Sequence, residues 1–85
     1  MNFYQSFVNH RLRSLAPQEI VELARNNGIV INQNEAVLIA QVLHGSNVNI
    51  FNDIERLSLL NEVAKITSPI VANEAEKLFQ HFVSK

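Results

Sequence analysis

The stretch Ile31-Asn32-Gln33-Asn34-Glu35 decides the fold, because its pattern returns twenty positions later as Phe51-Asn52-Asp53-Ile54-Glu55. In each copy an Asn precedes a Glu by three residues. An Asn at the N-cap accepts a hydrogen bond from a free backbone N–H of the first helical turn, and the Glu can accept one from the N–H of the cap residue. The two stretches therefore predict the starts of two helices.

Apolar residues follow both helix starts at the same places. Counted from the Asn, positions five, seven, eight and eleven hold Val37, Ile39, Ala40 and Leu43 in the first copy, and Leu57, Leu59, Leu60 and Val63 in the second. At about 100° per residue, we expect these positions to fall on one broad face of each helix. A solenoid array is not expected, since it needs at least three units.

The composition indicates one folded domain over residues 1–85. Hydrophobic residues make up 47% of the chain, which is too many for a disordered segment and allows some apolar surface to meet a partner. The net charge of −1 comes from scattered acidic and basic residues, so no bias toward polyanions or membrane surfaces appears. The chain has no cysteine, which excludes disulfides and thiol chemistry.

A cytoplasmic location is expected from three features of the sequence. No apolar stretch approaches the roughly 20 residues of a membrane span. The first residues, Met1-Asn2-Phe3-Tyr4, lack the basic start of a signal peptide. A chain without cysteine also suits the reducing cytosol.

Start and stop residues predict an all-α fold, a compact bundle of about five short helices with no sheet. Proline at the first helical position, after an N-cap, is a common helix start. The expected helices cover about residues 2–13, residues 17–26 from Pro17, residues 32–44 from Asn32, a segment after Asn52, and a segment from Pro69 with Ser68 as its N-cap.

Glycines mark the expected ends of the second and third helices. Gly28 and Gly45 each follow an apolar helical pattern, and both are expected to supply left-handed C-terminal caps. Asn27-Gly28 before residues 29–31 could instead be a hairpin turn that enters a strand. No alternating partner strand precedes it, so we favour a short extended connector. That connector and the one before Asn52 are expected to pack into the core.

Several short motifs resemble those of a known family. They are Leu15-Ala16-Pro17, Leu23-Ala24, Gly28-Ile29, Asn32-x-x-Glu35-Ala36, Ile39-Ala40, Leu43-x-Gly45, Asn49-Ile50-Phe51-Asn52 and Val63-Ala64-Lys65-Ile66-Thr67. The set is similar to a family of short uncharacterised proteins from Bacillus-type Gram-positive bacteria, known only as a domain of unknown function. The resemblance covers nearly the whole chain and implies a bacterial origin, but it supplies neither an activity nor functional residues to carry over. Ala16 departs from the family's Ser or Thr before this proline and cannot cap the second helix through its side chain.

The polar residues give little indication of catalysis or metal binding. The three histidines, His10, His44 and His81, have no acidic or histidine partner at the spacing that places metal ligands on one helical face. The Asn-rich segment from Asn47 lacks the glycine and the bidentate glutamate of a calcium loop. We therefore expect no cofactor, no metal and no catalytic residue, and so a protein that is not an enzyme.

Two helices joined around Gly28 also permit a helix-turn-helix interpretation, in which residues 33–43 would enter the major groove of DNA. That segment contains amides that can read adenine but no Arg or Lys. Arg11 and Arg13 are the candidate nucleic-acid contacts, provided that they lie beside the third helix. Nucleic-acid binding is the alternative function, disfavoured by the small basic charge.

Aromatic residues concentrate in the first and fifth helices, where Phe3, Tyr4, Phe7, Phe79 and Phe82 lie. Two explanations stay open. The two helices close the core of one monomer, or part of this surface forms a homodimer or receives another protein. The expected function is protein-protein interaction or self-association, with these five aromatics as the candidate partner-binding residues.

Overall fold

The computed structural model describes residues 2–84 and shows five helices. In chain order they are α1 (Phe3–Arg13), α2 (Pro17–Asn26), α3 (Gln33–Gly45), α4 (Asp53–Ile66) and α5 (Pro69–Val83). Residues 2–84 contain no strand, so the hairpin alternative at Asn27-Gly28 is wrong. The prediction of an all-α bundle is confirmed.

The two Asn-x-x-Glu stretches do start α3 and α4. The Asn32 side chain accepts the Glu35 N–H at 2.8 Å, and the Glu35 carboxylate accepts the Asn32 N–H at 2.9 Å. Asn52 likewise accepts the Glu55 N–H at 3.0 Å. The expected hydrogen bond from the Asn52 N–H to the Glu55 carboxylate is wrong in this copy. The Asn52 N–H donates to the Asn49 carbonyl, and Glu55 accepts the Asn49 N–H instead.

The other helix starts follow the same physical rule, since each first turn carries free N–H groups. Asn2 caps α1 and Ser68 caps α5 through their side-chain oxygens. Ala16, as expected, has no side-chain acceptor for the first turn of α2. The Glu19 carboxylate accepts the Ala16 N–H at 2.9 Å, so half of a reciprocal cap remains at this start.

The two glycines behave differently. Gly28 has a φ of +76°, its N–H donates to the Arg25 carbonyl, and the Ile29 N–H donates to the Ala24 carbonyl at 2.8 Å. These two bonds form the Schellman end of a helix, for which glycine is favoured. Gly45 is the last helical residue of α3 and Gly28 alone has positive φ among residues 2–84. The expected left-handed cap at Gly45 is therefore wrong.

The buried faces of α3 and α4 differ from the predicted ones at one position each. Positions seven, eight and eleven are buried in both helices. At position five, Val37 and Leu57 are 36% and 58% exposed, so their assignment to the inner face is wrong. The inner residues are instead Ala36 and Arg56 at position four, because position five lies about 100° further around the helix.

Both connectors contribute side chains to the core, as expected. Ile29 and Ile31 are buried while Val30 between them is 91% exposed, because successive side chains of extended chain point to opposite sides. In the second connector Ile50 is 1% exposed. Both connectors are therefore part of the hydrophobic core.

A buried polar network fastens the second connector to three helices. The Arg56 guanidinium donates to the Ile50 carbonyl at 2.9 Å, to Glu76 of α5 at 3.0 Å and to Asp53 at 3.0 Å. The Asn9 side chain of α1 accepts the Ile50 N–H at 3.1 Å. Arg56 was not predicted as a functional or core residue; its signal in the sequence is a basic residue at the position that Ala36 occupies in α3.

The helices pack as two extensive pairs, α2 with α3 and α4 with α5, joined by α3 against α4, while α1 lies on α3. An apolar cavity of about 80 Å³ is lined by residues of all five helices, α2 and α5 among them. Its walls from these two helices are Ile20, Leu23, Ala24, Ala75, Leu78 and Phe79. The packing of the bundle thus leaves an apolar space that α2 and α5 both border.

Candidate interaction surface

The five predicted aromatic residues divide between core and surface. Phe79 is buried and Phe82 is half-buried against the core. Phe3 is 96% exposed and Phe7 is 67% exposed, both on α1. Packing in the core of one monomer therefore accounts for Phe79 and Phe82, and the two exposed phenylalanine rings of the set lie on α1.

Tyr4 attaches α1 to the rest of the bundle. Its hydroxyl donates to the Phe82 carbonyl of α5 at 3.1 Å. Its ring meets the Phe51 ring edge-on, with centroids 5.9 Å apart, an arrangement that aromatic pairs prefer. Tyr4 thus serves the monomer, and it fixes the orientation from which its neighbours Phe3 and Phe7 project.

An apolar groove of about 200 Å³ lies against α1, and Phe7 is one of its lining residues. Helices α1, α2 and α5 all contribute to it. We call it the α1 groove, and its lining residues are Phe7, Val8, Arg11, Leu12, Leu15, Leu23 and Phe82. Phe7 lines this groove and is also exposed, and Phe3 lies one helical turn before it on the same helix.

The charge around the α1 groove is confined to one end. Residues 2–9 contain no charged side chain. At the far end Arg11 donates to the Glu19 carboxylate at 2.9 Å. The Ala16 N–H, together with Arg11, lowers the pKa of Glu19 below its ordinary value. A surface with uncharged aromatics at its centre and a paired charge at its rim has the composition of a protein-binding patch.

The two arginines proposed as nucleic-acid contacts lie in different surroundings. Arg11 is paired with Glu19 of α2. Arg13 lines a polar cleft of about 500 Å³ with His10, His44 and three further polar residues, at the C-terminal ends of α1 and α3. His44 contacts the Leu15 carbonyl through Nε2 at 3.0 Å. Only Arg13 therefore lies beside α3, at the end of that helix.

Both lysines of residues 2–84 are also paired with carboxylates. Lys65 donates to Glu62 and Lys77 to Glu74, at 3.4 and 3.0 Å. Over residues 2–84, no group of three or more His, Asp or Glu residues is placed to hold a metal ion. In the same part of the chain, every helix is too short or too polar to cross a bilayer.

Comparison with known proteins agrees with the resemblance seen in the sequence. The model of a family described as "Protein of unknown function (DUF2624)" matches residues 1–83. An uncharacterised protein of Bacillus subtilis (strain 168), YqfT, is 36% identical over 84 residues, which are 99% of this chain and 100% of the relative. No solved structure matches. This chain, a helical bundle with exposed aromatics on α1, therefore belongs to the DUF2624 family.

Proposed function

We propose that this protein is a small cytoplasmic helical module, not an enzyme, that acts by binding protein through α1. The observation that carries the proposal is the pair Phe3 and Phe7, exposed one helical turn apart on α1, with Phe7 lining an apolar groove. Full exposure of a Phe side chain is unfavourable, since burying a large apolar side chain contributes about 1.5–3 kcal/mol. A partner that covers both rings would recover that free energy.

The surroundings of the two rings support the same function. Tyr4 holds α1 in place through α5, so the rings stand on a fixed helix and little conformational entropy would be lost on binding. Aromatic residues at the centre of an interface, with charges at its rim, contribute most of the binding energy in protein complexes. Phe3 and Phe7 with the Arg11–Glu19 pair reproduce that arrangement.

The test is an affinity pull-down from the native cell with three forms of the protein, followed by binding measurements on any purified partner. The wild type is compared with a Phe3→Ser/Phe7→Ser double variant and with Ile70→Ser. Ile70 is 74% exposed on α5, so its change removes a similar apolar side chain away from α1. We expect a protein retained by the wild type and by Ile70→Ser, and lost with the double variant. Equal retention by all three forms would contradict the proposal.

Nucleic-acid binding remains as a second candidate function, favoured by the polar cleft that Arg13 shares with His10 and His44. Within residues 2–84, the side chains that line this cleft include no carboxylate. A parallel pull-down with nuclease treatment separates the two functions. A partner lost after nuclease treatment, and lost with Arg13→Gln, would favour the nucleic-acid alternative over protein binding.

A further inference from the structure

We infer that the partner accommodated by the α1 groove is a second copy of this chain, in a two-fold dimer in which Phe3 of each copy enters the α1 groove of the other. This inference rests on the proposed function and names its partner. It follows from the positions of a projecting ring and a groove on one helix, from their sizes, and from the charges along α1.

The register of α1 makes the projection and the groove meet under two-fold symmetry. Two α1 helices packed antiparallel about an axis through Phe7 place position 3 of one copy beside position 11 of the other. A helix rises about 1.5 Å per residue, so Phe3 and Arg11 each lie about 6 Å from that axis. Arg11, Leu12 and Leu15 line the groove. Each copy thus offers the ring that the other can hold, as an isologous interface requires.

The sizes agree as well. An apolar cavity of about 150 Å³ accommodates benzene, so the α1 groove, at about 200 Å³, has room for a phenyl ring. The Arg11 guanidinium at its border can lie over the face of the incoming ring, a favourable cation–π contact. Among residues 2–84 Phe3 is the most exposed of the large apolar side chains, at 96%, and it starts the helix that borders the groove.

The charges of the two copies are compatible with this packing. The first half of α1 carries no charged side chain, so two such segments meet without repulsion. At each rim, Arg11 and Glu19 neutralise one another. The net charge of −1 per chain also opposes association only weakly.

The buried area indicates a weak dimer. An aromatic side chain buries about 150–250 Å², so Phe3 and Phe7 of both copies, weighted by their exposed fractions, supply roughly 500–800 Å². Stable interfaces bury about 1,200–2,000 Å² in total. The rings therefore supply about half of a small interface, and we expect dissociation in the micromolar range or above.

Sedimentation equilibrium on the full chain, from about 5 μM to 1 mM, tests the inference. We expect the wild type and Ile70→Ser to form dimers with the same affinity. Ile70 is twelve residues before Phe82 on α5, about 18 Å along the helix. Phe3→Ser removes the projecting ring and Leu23→Glu places a carboxylate in the groove. Each is expected to weaken dimerisation by at least about tenfold.

Mixing these two variants gives the sharper test. The Phe3→Ser chain keeps its groove and the Leu23→Glu chain keeps its ring, so their heterodimer retains one of the two contacts while each homodimer retains neither. We expect the equimolar mixture to associate more strongly than either variant alone. Helical circular dichroism verifies folding, and Leu23→Gln replaces Leu23→Glu if the latter unfolds.

The outcomes are distinct. A wild type that stays monomeric to about 1 mM overturns the dimer but leaves the proposed function to its own pull-down test. A dimer that Phe3→Ser does not weaken, or variants that gain nothing on mixing, overturn the packing of Phe3 into the groove. If the dimer is shown as expected and the pull-down retains no other protein, self-association is the interaction that α1 mediates.

Discussion

Arg56 shows how one residue can hold a connector in place. Its side chain is 10% exposed, yet it has three acceptors, in the connector, at the start of α4 and on α5. A guanidinium presents donors in a planar fork, which lets one side chain reach several acceptors at once. Any substitute that is apolar or shorter leaves some of these acceptors unsatisfied.

We expect Arg56→Met to lower the free energy of unfolding by about 3 kcal/mol, because the Ile50 carbonyl and Glu76 lose their buried donor. The matched control is Lys65→Met, which removes a cation from the exposed pair with Glu62 and should change the value by less than about 0.5 kcal/mol. Urea denaturation of both variants measures the difference. Equal losses for the two would show that the Arg56 network adds no stability.

Glu19 connects stability to pH at the rim of the α1 groove. Its pKa is lowered first by the Ala16 N–H and then by Arg11. A folded-state pKa below the unfolded one means that the stabilisation is present above the unfolded value and is lost as pH falls through the folded value. We expect Arg11→Gln to raise the pKa of Glu19 only part of the way to its ordinary value. Carbon-13 NMR titration of the carboxyl measures this, and a complete return would mean that the backbone bond has no effect.

At the scale of elements, helix starts are determined by residues within one turn, whereas the buried face of a helix also depends on how the helix packs in the fold. Asn32, Asn52 and Ser68 could be identified as caps because the residue and the N–H groups that it satisfies lie within one turn. The role of Gly45 could not be predicted in this way. A glycine can be the last helical residue when the next residue is extended, as Ser46 is here. Position five was misassigned because both Val37 and Leu57 are apolar, although they lie outside the buried stripe.

The two glycines allow a paired prediction at this scale. Gly28→Ala is expected to lower the free energy of unfolding by about 1–2 kcal/mol, since a side chain at φ +76° is strained in the left-handed region. Gly45→Ala should raise it by about 0.5 kcal/mol, because Gly45 is helical, a Cβ there meets nothing within 4 Å, and alanine favours a helix. Thermal unfolding of both variants tests the pair, and the same sign for both would contradict it.

For the whole molecule, the sequence was enough to predict five helices but not which aromatic residues are buried. Phe79 and Phe3 both occur in apolar helical patterns. Their burial differs because α5 packs extensively on α4, whereas α1 contacts α3 less extensively. The groove could not be predicted, because Leu23 and Phe82 meet Phe7 from helices far apart in the chain. The composition did indicate that some apolar side chains would be exposed, because the apolar fraction of the chain is high.

The apolar cavity that α2 and α5 both border leads to a last prediction, about the bundle as a whole. Ala75 lines the 80 Å³ cavity and is half-buried, so Ala75→Leu can place three further carbons in space that is now empty. At about 0.8 kcal/mol per buried methylene, less the cost of ordering the longer side chain, we expect the free energy of unfolding to rise by about 1 kcal/mol. Ala75→Gln is the control, since a polar side chain of similar length should lower it. Urea denaturation of both variants decides. Destabilisation by Ala75→Leu would mean that α2 and α5 are held too rigidly to admit it, as in an overpacked core.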